Sequence, residues 1–330
     1  MHAQALPASR SAPQALAAPH VGVGPGWFER EEAIMGTAIR VELWAHGAGQ
    51  GQAATDAVMA EMHRIDRTMS PHKADSELSR INRLAATEPV HLSTEMFDLI
   101  ERALQFSALS GGAFDISYAS VGQLYDYRAR IAPTGAALAQ AQRAIGWRGL
   151  KLDRAARTLA FAHPGMRIDL GGFAKGHAVD NAVKILASLG IRHAFVSAGG
   201  DSRVIGDKRG RPWTIGVRHP RDANALAAVL PLVDTAVSTS GDYERYFEKN
   251  GVRHHHIIDP ATGRSPAAIH GVTILAADGL TAEALSKSLF VLGVERGMAL
   301  LETQPGVDAL CIDAQGRLHF SSGLQAPQRA

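Results

Sequence analysis

From about residue 165 onward the chain is a succession of short apolar stretches closed by glycine, and this pattern limits the folds open to it more than any other feature. The stretches are M-R-I-D-L-G-G, H-A-F-V-S-A-G-G-D, W-T-I-G-V, A-V-S-T-S-G-D, H-H-I-I-D-P and G-V-T-I-L-A. Each is long enough for a strand and too short for a stable helix. Two segments with helical spacing interrupt them, about Phe173 to Leu189 with Gly190 as its stop and about Thr281 to Leu292 with Gly293 in the same place. Strands, hairpins and helices mixed in this way predict an α+β fold.

The first half supplies more of both kinds. Ile39, Val41 and Leu43 alternate with Arg40 and Glu42, the period of a half-buried strand. Val58, Met62, Ile65 and Met69 recur at helical spacing up to Ser70-Pro71, where proline disfavours helical geometry in the residue before it. A second helix is expected from a Ser93 cap, with Met96, Phe97, Ile100, Leu104 and Leu109 turned inward and a stop at Gly111-Gly112. Residues 1–26, rich in Ala, Pro and Gly and without the apolar core of a secretory signal, read as a disordered leader. Residues 27–325 read as one domain, in which the change of character near 165 would also allow two subdomains.

Composition narrows the function classes. With 46% hydrophobic and 20% charged residues, the chain has the balance of a globule with a sizeable core. A net charge of +2 and the lack of a long Lys/Arg run argue against nucleic acid as a partner. No apolar run reaches the ~20 residues of a transmembrane segment. The single cysteine, Cys311, excludes an intrachain disulfide and a cysteine metal cluster, and its apolar neighbours read as a buried strand.

Three segments carry candidate chemistry. In I-D-L-G-G-F-A-K-G-H-A-V-D, Ile168 to Asp180, a Gly-Gly turn opens a helix, which would bring backbone N–H groups and the positive dipole end close to a phosphate, with Lys175 in reach. The same glycines also serve as a tight-packing device, and the spacing is neither a Walker A loop nor a G-x-G-x-x-G fingerprint. In R-H-H-H-I-I-D-P, strand geometry would turn His254 and His256 to one face and His255 to the other, giving two metal ligands at most, a general base, or a surface cluster. In T-A-E-A-L-S-K-S-L-F, Glu283 and Lys287 have the spacing and order of a helical ion pair, which by itself reads as a solvated bridge.

Further motifs join these in a fixed order along the chain. They are M-G-T at Met35 to Thr37, M-S-x-x-x-x-D-S-E-L-S-R-I-N at Met69 to Asn82, and G-G-A-F-D-I-S at Gly111 to Ser117. D-L-G-G-F-A-K-G-H-A-V-D, A-G-G-D at Ala198 to Asp201, P-W-x-I-G-V at Pro212 to Val217, T-S-G-D-Y at Thr239 to Tyr243 and H-I-I-D-P-A-T-G at His256 to Gly263 follow. Taken in order, they resemble the motifs of the ApbE-like FAD:protein FMN transferase (flavin transferase) family. The resemblance covers about Met35 to Gly293 and implies T-fold-related mixed sheets with flanking helices.

It also implies an activity: cleavage of the FAD pyrophosphate beside Mg²⁺, attachment of FMN to a Thr or Ser hydroxyl of an acceptor protein, and release of AMP. On that basis Met35, His72, Ala113, Phe114, Asp115, Asp169, Lys175 and Ile257 fall at flavin-nucleotide positions. Gly172 would offer a carbonyl to the metal, Glu283 and Ser286 would be further ligands, and His256 would take the acceptor's proton. Family members commonly work outside the cytoplasmic membrane, which implies a periplasmic or outer-side, membrane-associated location. Three positions depart from the family pattern. His72 stands where a tyrosine is usual, and Glu283 and Lys287 stand where Asp and Thr serve as Mg²⁺ ligands. An ammonium repels the ion, so the expectation is that Lys287, held by Glu283, supplies part of its charge catalytically. Two other activities use the same site: an FAD pyrophosphatase releasing FMN and AMP, and a non-catalytic flavin binder. Neither G-x-S-x-G nor H-E-x-x-H is present for a flavin-independent hydrolase.

Overall fold

The structure, a computed structural model, describes residues 24–324. Most of the expected leader lies outside the described residues, and Gly26 already opens a strand. Eight strands form the main sheet: β1 (Gly26–Ile34), β2 (Thr37–Ala45), β3 (Ala194–Ala198), β4 (Asp201–Ile205), β5 (Ala236–Gly241), β6 (Ile269–Ala276), β7 (Asp308–Asp313) and β8 (Leu318–Phe320). They lie side by side in chain order, each antiparallel to the next. The sheet is therefore a meander into which longer segments are inserted, and strands from both sides of residue 165 share it. Helices carry its insertions at two places. The long one between β2 and β3 includes α1 (Ala48–Met69), α2 (Thr94–Leu109) and α3 (Ala174–Ser188), and α4 (Gly279–Leu292) follows β6.

Alternation explains the layering. Ile39, Val41 and Leu43 of β2 are fully buried against a core that also takes Val58, Met62 and Ile65 of α1 and Leu285 and Leu289 of α4. On β5, Val237 turns the other way, into a second cluster with Trp213, Leu230 and Leu232 from the hairpin Trp213–Arg218/Leu226–Leu232. Helices thus cover one face of the sheet and a hairpin covers part of the other. Cys311 is buried in β7, as its apolar neighbours predict.

Several expectations need correction. Met166–Leu170 is not a strand: the Asn82 side chain binds both the N–H and the carbonyl of Ile168, and the Asp169 N–H donates to the Ile116 carbonyl, so no ladder partner is available. The strand Val252–His255 ends before His256, so the two-face argument for the three histidines fails. His255 is the deeply buried one, its Nε2–H donating to the Pro266 carbonyl at 2.8 Å. Leu109 is exposed, since it lies nine residues, half a turn out of phase, beyond Ile100. α4 begins at Gly279 rather than Thr281 because Asp278 caps it, accepting from the Thr281 N–H at 2.8 Å.

Candidate active site

The N-termini of α3 and α4 meet at a glycine pair. A Cβ on Gly176 would stand 2.4 Å from the Gly279 carbonyl oxygen, and one on Gly279 would stand 2.8 Å from that of Gly176, so the crossing requires both glycines. Each helix start is closed by an acid from the other helix. Asp180 of α3 accepts from the N–H groups of Gly279 and Leu280 at 2.8 and 3.0 Å, and Glu283 of α4 accepts from the Gly176 N–H at 2.7 Å. The clasp satisfies donors that both helices would otherwise leave open.

A buried charge quartet grows from this clasp. Lys175 bridges Asp201, at the start of β4, and Glu283, whose Oε1 lies 2.8 Å from its Nζ. Lys287 Nζ stands 3.7 Å from the same Glu283 oxygen and 3.4 Å from Ser286 Oγ. Asp201 also accepts from Ser238 Oγ at 2.6 Å. Glu283 and Asp201 are almost completely buried, while the two lysines keep about a fifth of their side chains open. Burial opposes the Lys175 ammonium, but Asp201 and Glu283 outweigh it and raise its pKa. Burial opposes the Asp201 carboxylate too, yet Lys175 and Lys287 lower its pKa. Lys287 is lowered, chiefly by burial, with Glu283 and Asp201 pulling the other way. The solvated helical bridge read from the sequence is thus a buried network, and Glu283 holds Lys175 more closely than Lys287.

Lys175, Asp201 and Lys287 line a cleft of about 2020 Å³. Met35, His72, Ala113, Phe114, Asp115, Asp169, Gly172, His256 and Ile257 line it as well, whereas Glu283 and Ser286 lie behind the lysines. The structure therefore brings together every expected flavin-nucleotide residue. Met35 and Gly36 form the two-residue turn between β1 and β2 with φ of 54° and 70°, which aims Met35 into the cleft at the expense of a left-handed backbone. Phe114 packs on Phe106 and Phe173 and contributes mainly to the floor. Asp115 is occupied on both oxygens by Ser117 and the Trp147 N–H, so it holds the wall in shape. Asp169 accepts from the Gly171 N–H, which tightens the Gly-Gly turn. His72 is exposed at the rim.

His256 stands apart chemically. Its Nδ1 is buried and, among the described residues, has no hydrogen-bond partner. Burial, then Lys287, His255, Lys175 and Arg245, push its pKa down to about 3, so the ring is neutral with a lone pair available. Sequence reasoning gave no role to Asp201, Tyr118 or Arg245, all of which line the cleft. Asp201 and Arg245 sit in or beside the quoted A-G-G-D and T-S-G-D-Y segments, and an acid directly after Gly-Gly at a strand start was the available signal.

A family model described as "ApbE family" matches residues 35–311. The chain belongs to the ApbE family. Its relatives include the FAD:protein FMN transferase of Treponema pallidum, 35% identical over 90% of this chain and 87% of that one. That of Vibrio cholerae is 34% identical over 81% and 82%. Among solved structures, the ApbE protein of Thermotoga maritima superposes with a TM-score of 0.84 at 33% identity, covering 90% of this chain and 98% of the other. The flavin transferase ApbE of Vibrio cholerae gives 0.82 at 29% identity with the same coverage.

In this ApbE chain the expected metal donors are committed elsewhere. Glu283 accepts from Lys175 on one oxygen and from the Gly176 N–H on the other. Ser286 Oγ donates to the Glu283 carbonyl at 2.9 Å and stands 2.8 Å from Ser240 Oγ. Behind Gly172 lies the Lys287 side chain, with Cε 3.5 Å from where a Cβ would be. Among the described residues no three His, Cys, Asp or Glu side chains are grouped to hold a metal. A hard divalent cation needs free oxygen ligands, and two ammonium groups at the same place repel it, so this donor set does not fit Mg²⁺.

Proposed function

We propose that this chain is an FAD:protein FMN transferase: it binds FAD in the cleft, cleaves the pyrophosphate, and passes FMN to a Thr or Ser hydroxyl of an acceptor protein with release of AMP. The observation that carries the reading is the pairing of a neutral, unpartnered imidazole with two cleft-facing ammonium groups. A negatively charged diphosphate has its counter-charge in Lys175 and Lys287, and an incoming hydroxyl has its proton acceptor in His256. The acceptor oxygen forms a bond to the phosphorus of the FMN half. The bond from that phosphorus to the bridging oxygen breaks, AMP leaves with that oxygen, and the hydroxyl proton passes to His256.

Burial and then the lysines lower the basicity of His256, and the negative charge of the incoming pyrophosphate offsets the share that the lysines contribute. Met35, Ala113 and Ile257 offer apolar surface for the flavin. The reading carries with it a site of action on the outer side of the cytoplasmic membrane, supported by the family's habit alone. Among the described residues no helix is long and apolar enough to cross a membrane.

The test is incubation with FAD and a domain bearing a flavinylation threonine, followed by mass spectrometry of the acceptor. A gain of one FMN supports the transferase. FMN and AMP without labelling would make the protein a hydrolase, and intact FAD would make it a flavin binder.

A further inference from the structure

Resting on the transferase reading, we infer that the ammonium groups of Lys175 and Lys287 replace the divalent cation in this chain, so that FMN transfer proceeds without one. Three observations converge on this. The Lys287 side chain runs among the three places from which a metal would be held. Its Cε lies against Gly172, and its Nζ is 3.7 Å from Glu283 Oε1 and 3.4 Å from Ser286 Oγ. Lys287 faces the cleft, while Glu283 and Ser286 lie behind it, so a cation approaching from solvent meets the ammonium before either oxygen. The carboxylates of the quartet are also fully used. Asp201 is paired with Lys175 and Ser238, and Glu283 with Lys175 and the Gly176 N–H.

The charge count supports the same conclusion. Asp201 and Glu283 balance Lys175 and Lys287, so the resting site carries no excess negative charge to attract a dication. In the transfer step the bond between the FMN phosphorus and the bridging oxygen breaks as the acceptor oxygen bonds to phosphorus. The charge that develops on the departing AMP oxygen is what a nearby ammonium stabilises. No further reactant is required.

The experiment uses the full chain, dialysed against EDTA, with FAD and a threonine-bearing acceptor domain. Acceptor mass gain is followed in EDTA and in Mg²⁺, and Mn²⁺ binding is followed by electron paramagnetic resonance with FAD present. The parent is expected to transfer FMN at the same rate in both buffers and to show no saturable Mn²⁺ site. Lys287→Thr is expected to lose roughly a hundredfold in EDTA, to regain activity with Mg²⁺, and to acquire a saturable Mn²⁺ site. Transfer by the parent that stops in EDTA and resumes with Mg²⁺, or a stoichiometric Mn²⁺ site in the parent, overturns the inference alone. FAD left intact by the parent in both buffers overturns the transferase reading and the inference together. The parent measurements stand even if the variant fails to fold.

Discussion

His256 and Met35 show at the scale of one residue how the cleft is prepared. His256→Asn is expected to keep FAD binding, read by flavin fluorescence, and to lower acceptor labelling by about 10²–10⁴. For stability the sign follows from the depressed pKa. The unfolded chain takes up the proton first, so the stability gained by a neutral ring is complete above about pH 6.5 and is lost as pH falls towards 3. His254 and His255 are depressed by burial as well and steepen the same slope. Urea midpoints should therefore fall from about pH 7 to pH 5, and His256→Asn should flatten that fall. At Met35 the left-handed φ suits asparagine, so Met35→Asn should change stability by less than about 1 kcal/mol while weakening FAD binding. The charged pair Glu283 and Lys287 was legible in the sequence because the residue types depart from a known pattern. Asp201 left only the trace of an acid after Gly-Gly, because its partners Lys175, Ser238 and Lys287 come from three other elements with no shared period.

At the scale of elements, the meeting of α3 and α4 decides where the charges stand. Gly176→Ala would place a methyl group within contact of a carbonyl that cannot move without shifting α4. A loss of about 1–3 kcal/mol or more in urea unfolding is expected. Asp180→Asn and Glu283→Gln act on one interlocked structure, so their effects should be non-additive by about 0.5–3 kcal/mol in a double-mutant cycle. Both helices were legible from apolar spacing and glycine stops, but their mutual capping was not, since it joins an acid in one helix to backbone donors in another. Met166–Leu170 shows the reverse failure. Its apolar pattern suits a strand, yet Asn82 and Ile116 claim the backbone groups that a ladder would use.

At the scale of the molecule, the cleft draws its walls from Ala33 to Val291 and belongs to no single segment. FAD at about a hundred times its dissociation constant should stabilise the whole by ~2.7 kcal/mol, as a shift of one cooperative urea transition rather than of a local one. The α+β class was legible because strand and helix periods alternate. The order of the sheet was not, since β2 pairs with β3 across a long helical insertion that no local pattern reveals. That pairing has a consequence during synthesis. The hairpin of β1 and β2 leaves the ribosome with one edge unsatisfied, and its neighbour is translated only roughly 10–30 s later. Throughout that interval the nascent chain carries an open strand edge and no flavin site. A ribosome-stalled or truncated product ending before β3 is thus a client for chaperones, never a partial enzyme.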